Sequence, residues 1–165
     1  TNHDILAIGV CIDDMAEENG PLMVYPGSHK GPVFDHHVGG IFAGAMLPNE
    51  NGLNPANAVK LMGPAGSVSI HNGRIVHGSA LNGSDHARRI LFFELMAADA
   101  FPIMGSMTRW EGIKDYDTRM LCGQSTLNPR LKDIPVRIPQ PQPDVPISIY
   151  EIQKGMKKRA FDTIT

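Results

Sequence analysis

The densest chemistry in the chain runs His77-Gly78-Ser79-Ala80-Leu81-Asn82-Gly83-Ser84-Asp85-His86-Ala87-Arg88-Arg89. A histidine closes one apolar segment, a serine follows two residues later, and Arg88 opens the next apolar segment eleven residues after the histidine. Imidazole is a good ligand for iron(II). Guanidinium clamps a carboxylate, because its fork donates two parallel hydrogen bonds. Two adjacent antiparallel strands joined by that turn would set His77 beside Arg88. Such a pair suits a small dicarboxylate that chelates a metal at one end and is anchored at the other. Arg89 has the same chemistry but points the other way on a strand, and alternation does not choose between the two. Ser79 reads equally as a hydrogen-bonding helper and as a turn serine.

The remaining polar residues have weaker claims. His36 and His37 lie in a long Gly-, Pro- and Asn-rich stretch, Gly31 to Pro55, read as a functional or mobile loop in which they are candidates for touching substrate. His29 follows Pro26-Gly27-Ser28 and is expected to anchor a turn. His71 ends an alternating segment and is expected in the core or hydrogen-bonded. His86 is expected to face solvent. Asn82 and Ser84 read as turn formers. Asp13 and Asp14 are adjacent, so their carboxylates cannot converge for acid–base work, and a turn role is expected. His3 and Asp4 are also adjacent and cannot both face one metal from a strand.

These residues need a scaffold, and the pattern around them is one of short strands. Ile5 to Ile12 is apolar on both sides and fits a central strand. Leu22 to Tyr25 and Val59 to Met62 read as short strands, each ended by Pro- and Gly-containing turns. Ser67 to His71 alternates like a half-buried strand. Asn72-Gly73 predicts a hairpin closing onto Arg74 to His77. Arg88 to Ala97, RRILFFELMA, is the strongest strand. Thr108 to Cys122 suggests one or two helices. Asn128 to Pro146 carries six prolines and is expected to wrap the core in an extended form. Ile149 to Lys158 suggests a terminal helix with a basic end.

Bulk properties narrow the class. The chain has 165 residues, 42% hydrophobic, enough for one globular domain with a core. Net charge is -2, which gives no electrostatic footprint for nucleic acid. No apolar run approaches membrane-spanning length, so a soluble protein is expected, with no membrane partner. Cys11 and Cys122 are distant in sequence and read as buried thiols of a reducing cytoplasm.

Four pieces in order, Asp13-Asp14 to Gly20-Pro21-Leu22, Tyr25-Pro26-Gly27-Ser28-His29-Lys30-Gly31, Gly63-Pro64-Ala65-Gly66-Ser67 and His77 to Arg88, resemble the phytanoyl-CoA dioxygenase family. The likeness covers Asp4 to Ala98 well and the tail more loosely. It implies a mainly β fold, a double-stranded β-helix or jelly roll over residues 1–98, with a partly helical, Pro-rich extension over 99–165. It implies iron(II) and 2-oxoglutarate. His77 matches a metal ligand, Arg88 the residue that binds the far carboxylate of 2-oxoglutarate, and Ser79 its helper. It places the other two ligands in a His-x-Asp motif, expected upstream of Thr1, so the chain alone is expected to be a poor enzyme. The implied reaction decarboxylates 2-oxoglutarate to succinate and hydroxylates a small metabolite or acyl substrate. The competing reading is a jelly roll that binds a small carboxylate without redox chemistry. Strands apolar on both sides need a covering layer, so an exposed apolar face, a bare strand edge and self-association are also expected.

Overall fold

The computed structural model describes residues 1–104, 110–144 and 148–154. The strands are β1 (Ile5–Cys11), β2 (Leu22–Val24), β3 (His37–Val38), β4 (Ile41–Phe42), β5 (Val59–Lys60), β6 (Val68–Asn72), β7 (His77–Ser79) and β8 (Ile90–Met96). Two short helices follow, α1 (Ile113–Thr118) and α2 (Ile149–Lys154). The fold is mainly β, a partial jelly roll. One sheet runs β6-β1-β8, the other β5-β2-β7, and β3 and β4 form a small hairpin. Successive strands from β5 to β8 alternate between the two main sheets, so the chain crosses the cavity between them at each turn.

β1 is central, as its β-branched, apolar composition demands. It pairs antiparallel with β6 through Ile8 and Ile70 and with β8 through Ile8 and Phe93. Residues opposite one another share a face. One face therefore carries Ile5, Ala7, Gly9, Ser69, His71, Ile90, Phe92, Glu94 and Met96. The other carries Leu6, Ile8, Val10, Val68, Ile70, Leu91, Phe93 and Leu95. Burial on both sides does not occur. Ala7 is buried on the first face, whereas Ile70 is 66% exposed on the second.

The second sheet is covered on its back. In β2 the Leu22 and Val24 positions face Ser79 and His77 across the ladder, and Met23 points the other way. Met23 and Tyr25 form the buried core there, packed by Leu53, Ala58, Val76 and Ala80. The 31–55 stretch supplies Leu53. It is not structureless: it holds β3, β4 and a 3-10 turn over Asn49–Asn51.

Two further expectations change. Asn72-Gly73 does not close a hairpin. The Ile75 amide bonds back to the Asn72 carbonyl at 3.0 Å and Gly73 to Ile5 at 2.9 Å, so the turn carries the chain from one sheet to the other. Cys122 is exposed and Cys11 half-buried, and both are free thiols.

The Pro-rich tail wraps as its composition requires, with no strand or helix from Asn128 to Asp144. Buried Asn2 donates to the carbonyls of Asp99 (3.0 Å) and Arg130 (3.1 Å), and Arg130 forks onto Asp99. Farther along, the Phe42 amide bonds to the Pro141 carbonyl at 2.9 Å. The expected helical region begins at Ile113, Thr108 lying outside the described residues. The basic end at Lys157, Lys158 and Arg159 also lies outside them.

Candidate active site

A cavity of about 1310 Å³ opens between the sheets, and His77, Ser79 and Arg88 all line it. They reach it by a different route from the one the spacing suggests. His77 and Ser79 belong to β7, at the edge of one sheet, while Arg88 precedes β8, at the edge of the other. The strands are not ladder neighbours; the turn between them spans the cavity mouth. That turn is built as expected: the Ser84 amide donates to Asn82 Oδ1 at 2.9 Å, and His86 stands in solvent.

His77 Nδ1 lies 2.9 Å from the Ile75 carbonyl. A carbonyl only accepts, so a proton sits on Nδ1, and in the neutral ring this leaves the lone pair on Nε2. This is the arrangement that orients a metal-ligating imidazole. Among the described residues no group of three His, Cys, Asp or Glu side chains converges to hold a metal. His77 thus fits iron(II) as one donor, and the set is not completed by its described neighbours.

Arg88 is half-buried, and its Nη1 donates to the Gly20 carbonyl. Gly20 has φ +66°, and a Cβ there would meet the Ala80 and Leu81 carbonyl oxygens at 2.5 and 2.6 Å. Only glycine fits, so this position presents a backbone oxygen to the guanidinium without strain. Arg89 lies outside: its fork takes Asp13 at 2.7 and 2.9 Å, and that pairing holds the Asp13 carboxyl down at about 2.

Of the loop histidines, His36 lines the cavity and His37 does not. His37 Nδ1 is 2.5 Å from Asp35 and Nε2 is 2.9 Å from the Gln140 carbonyl, clasping the loop to the tail. A substrate contact at His37 is replaced by this structural one. His3 lines the cavity, and its buried Nδ1 has no described partner. Burial, then nearby Arg74, lower its pKa. Asp4 turns away to Arg130 and Lys132, as adjacency requires.

His71 lies beside the cavity without being one of its lining residues, and Arg74 and Arg137 line it without having been singled out in the sequence. His71 sits with its ring centroid 5.9 Å from that of His77 and 6.4 Å from that of Phe92. Its buried Nδ1 has no described partner, and burial followed by His77 lowers its pKa. The Ser69/His71 alternation pointed inward and was a usable signal. Arg74 and the tail segment Ile134–Pro139, with Arg137, form part of the wall. No local pattern marks a distant proline tract as a cavity wall.

Residues 1–90 match the family described as Phytanoyl-CoA dioxygenase (PhyH). The chain is 35% identical to a probable alpha-ketoglutarate-dependent hypophosphite dioxygenase of Stutzerimonas stutzeri, over 98% of this chain and 56% of that protein. It is 33% identical to an L-proline trans-4-hydroxylase of Streptomyces griseoviridis, over 53% of this chain and 39% of that one. Among solved structures, EvdO2 of Micromonospora carbonacea var. aurantiaca, complexed with 2-oxoglutarate, is 25% identical with a TM-score of 0.44, covering 59% of this chain and 42% of that chain. The chain thus spans about half the length, or less, of these curated relatives.

Proposed function

We propose, from the premise that this chain belongs to the phytanoyl-CoA dioxygenase (PhyH) family, that it forms the core of an iron(II)- and 2-oxoglutarate-dependent dioxygenase. The observation that carries the reading is the shared cavity, with an Nε2 lone pair on one sheet edge and a guanidinium on the other. His77 holds the metal as one ligand. Membership of the family calls for two further donors, a His-x-Asp pair, which the described residues around His77 do not supply. Arg88 takes the far carboxylate of 2-oxoglutarate, and Ser79, on the same wall, adds a hydroxyl donor. Iron(II), when bound, supplies the oxygen chemistry that couples 2-oxoglutarate decarboxylation to substrate hydroxylation. Leu22, Ile90 and Phe92 make the wall apolar, which limits water around the reacting groups.

The substrate is a small molecule. Two of the relatives are named for hypophosphite and for L-proline, both small enough for this cavity. No helix of the described residues is long and apolar enough to cross a membrane, and two free thiols suit the cytoplasm. The exposed back of the β6-β1-β8 sheet favours self-association.

The test is succinate formation from 2-oxoglutarate in the protein that carries all the ligands. Arg88→Ala is expected to raise the 2-oxoglutarate requirement about a hundredfold, the loss of a charged hydrogen-bonded clamp. Unchanged turnover would remove Arg88 from the site. Binding of 2-oxoglutarate with no succinate formed would favour the non-catalytic carboxylate-binding module.

A further inference from the structure

The described arginines divide by their partners. Arg89 pairs with Asp13 at 2.7 Å, Arg119 with Asp115 at 2.9 Å, and Arg130 with Asp99 at 2.8 Å and Asp4 at 2.5 Å. None of these three lines the cavity. Arg74, Arg88 and Arg137 do line it. Arg74 donates to the Gly31 carbonyl at 2.6 Å and Arg88 to the Gly20 carbonyl, each a dipole and not a counter-charge. Arg137 reaches Asp35 at 3.3 Å, but the same carboxylate oxygen already faces His37 Nδ1 at 2.5 Å. Both ring nitrogens of His37 meet acceptors, Asp35 and the Gln140 carbonyl, and only the imidazolium donates from both. One carboxylate oxygen therefore faces both His37 and Arg137, so Arg137 has no counter-charge to itself.

The rest of the wall repeats the bias. His3, His36 and His77 add imidazoles, and no Asp or Glu is among the described lining residues. The whole chain has 17 acids against 15 Lys and Arg, so an even mixture would be expected. Cations gathered around a concave, partly apolar wall focus a positive potential into it. One dicarboxylate at Arg88 answers one of them.

We propose that the substrate carries an anionic group, a carboxylate or a phosphorus oxyanion, docked on Arg137 at the tail wall, with Arg74 adding to the field. This deepens the dioxygenase reading and rests on it for the occupant of Arg88. A neutral isostere would leave the guanidinium without its partner, so discrimination comes from the unmet donors as much as from attraction.

Calorimetric titration of the ligand-complete protein, anaerobic with iron(II) and saturating 2-oxoglutarate, tests it with acetate, inorganic phosphite and acetamide. At least one anion is expected to bind, more weakly at higher salt, and acetamide is not. The tighter anion identifies the carboxylate or the phosphorus source. Arg137→Gln should weaken that anion tenfold or more, Arg137→Lys should retain most of the affinity, and neither should change 2-oxoglutarate affinity by more than twofold. Melting curves of both variants establish that the tail remains folded. Failure of both anions to bind, acetamide binding as tightly, or indifference to Arg137→Gln would overturn the proposal. An anion that merely competes with 2-oxoglutarate would overturn it too, leaving the dioxygenase reading intact. If 2-oxoglutarate itself does not bind, that reading fails, and the Arg137 variants still decide the anion site.

Discussion

The two main sheets differ most on their backs. Behind β5-β2-β7, Met23 is 1% exposed and Tyr25 4%, because the 31–55 stretch folds over them. Behind β6-β1-β8, Val68 is 57%, Ile70 66% and Phe93 50% exposed, though these residues are as apolar. Composition decides which face seeks cover; the path of the chain decides which face gets it. The fronts of the two sheets differ less, since both line the cavity and both carry polar groups among apolar ones.

The contrast is sharpest under truncation. Met23→Ala should cost about 2–5 kcal/mol, the usual toll of a cavity in a packed core. Ile70→Ala should cost under about 0.5 kcal/mol, as at an exposed site. Urea unfolding of both measures the difference. Equal costs would mean that the back of β6 is covered in solution.

Gly20→Ala is expected to come next, at about 1–3 kcal/mol, from left-handed backbone and from contact with the Ala80 and Leu81 carbonyls. It should also weaken 2-oxoglutarate binding, because the Gly20 carbonyl holds Arg88. A stable variant with unchanged 2-oxoglutarate affinity would separate the turn from the clamp. Ile70→Lys should leave stability nearly unchanged and reduce self-association, read as a fall in light-scattering mass at high concentration. An unchanged mass would clear this face of any part in association.

The smallest effect is the pH dependence of the loop–tail clasp. Asp35, then the Gln140 carbonyl, raise the His37 pKa. The folded state therefore binds the proton more tightly than the unfolded chain. Its stabilisation is complete below pH about 6.5, the unfolded value, and is lost as pH rises through the raised folded value. Melting temperatures followed from pH 6 upward should show this decline, and His37→Gln should flatten it. Asp13 has the opposite sign: its stabilisation holds above the ordinary carboxylate range and is lost as pH falls toward about 2.

Much of the scaffold was legible because local chemistry fixes it. The apolar run Ile5 to Ile12 became the central strand, and Pro26-Gly27 and Pro64-Ala65-Gly66 became turns, with Gly27 and Gly66 at positive φ. The Asn72-Gly73 hairpin failed because a tight-turn dipeptide specifies a reversal and not which sheet receives the next strand. His77 and Arg88 were singled out by residue type and by resemblance, but their route to the same cavity depends on that crossing. Arg74 and Arg137 were invisible because nothing near them in sequence shows that one bonds to a carbonyl and that the other shares its carboxylate with His37. Their meaning appears only beside Arg89, Arg119 and Arg130, each of which has a carboxylate of its own away from the cavity.

The central claim is that His77 offers its free Nε2 to iron(II) in the cavity it shares with Arg88. Iron(II) affinity by anaerobic equilibrium dialysis, in the ligand-complete protein and in His77→Ala and His71→Ala, tests it most directly. His77→Ala should lower affinity at least tenfold, while His71→Ala, whose imidazole lies beside it, should change it by no more than a few fold. Iron held as tightly without the His77 imidazole would contradict the claim.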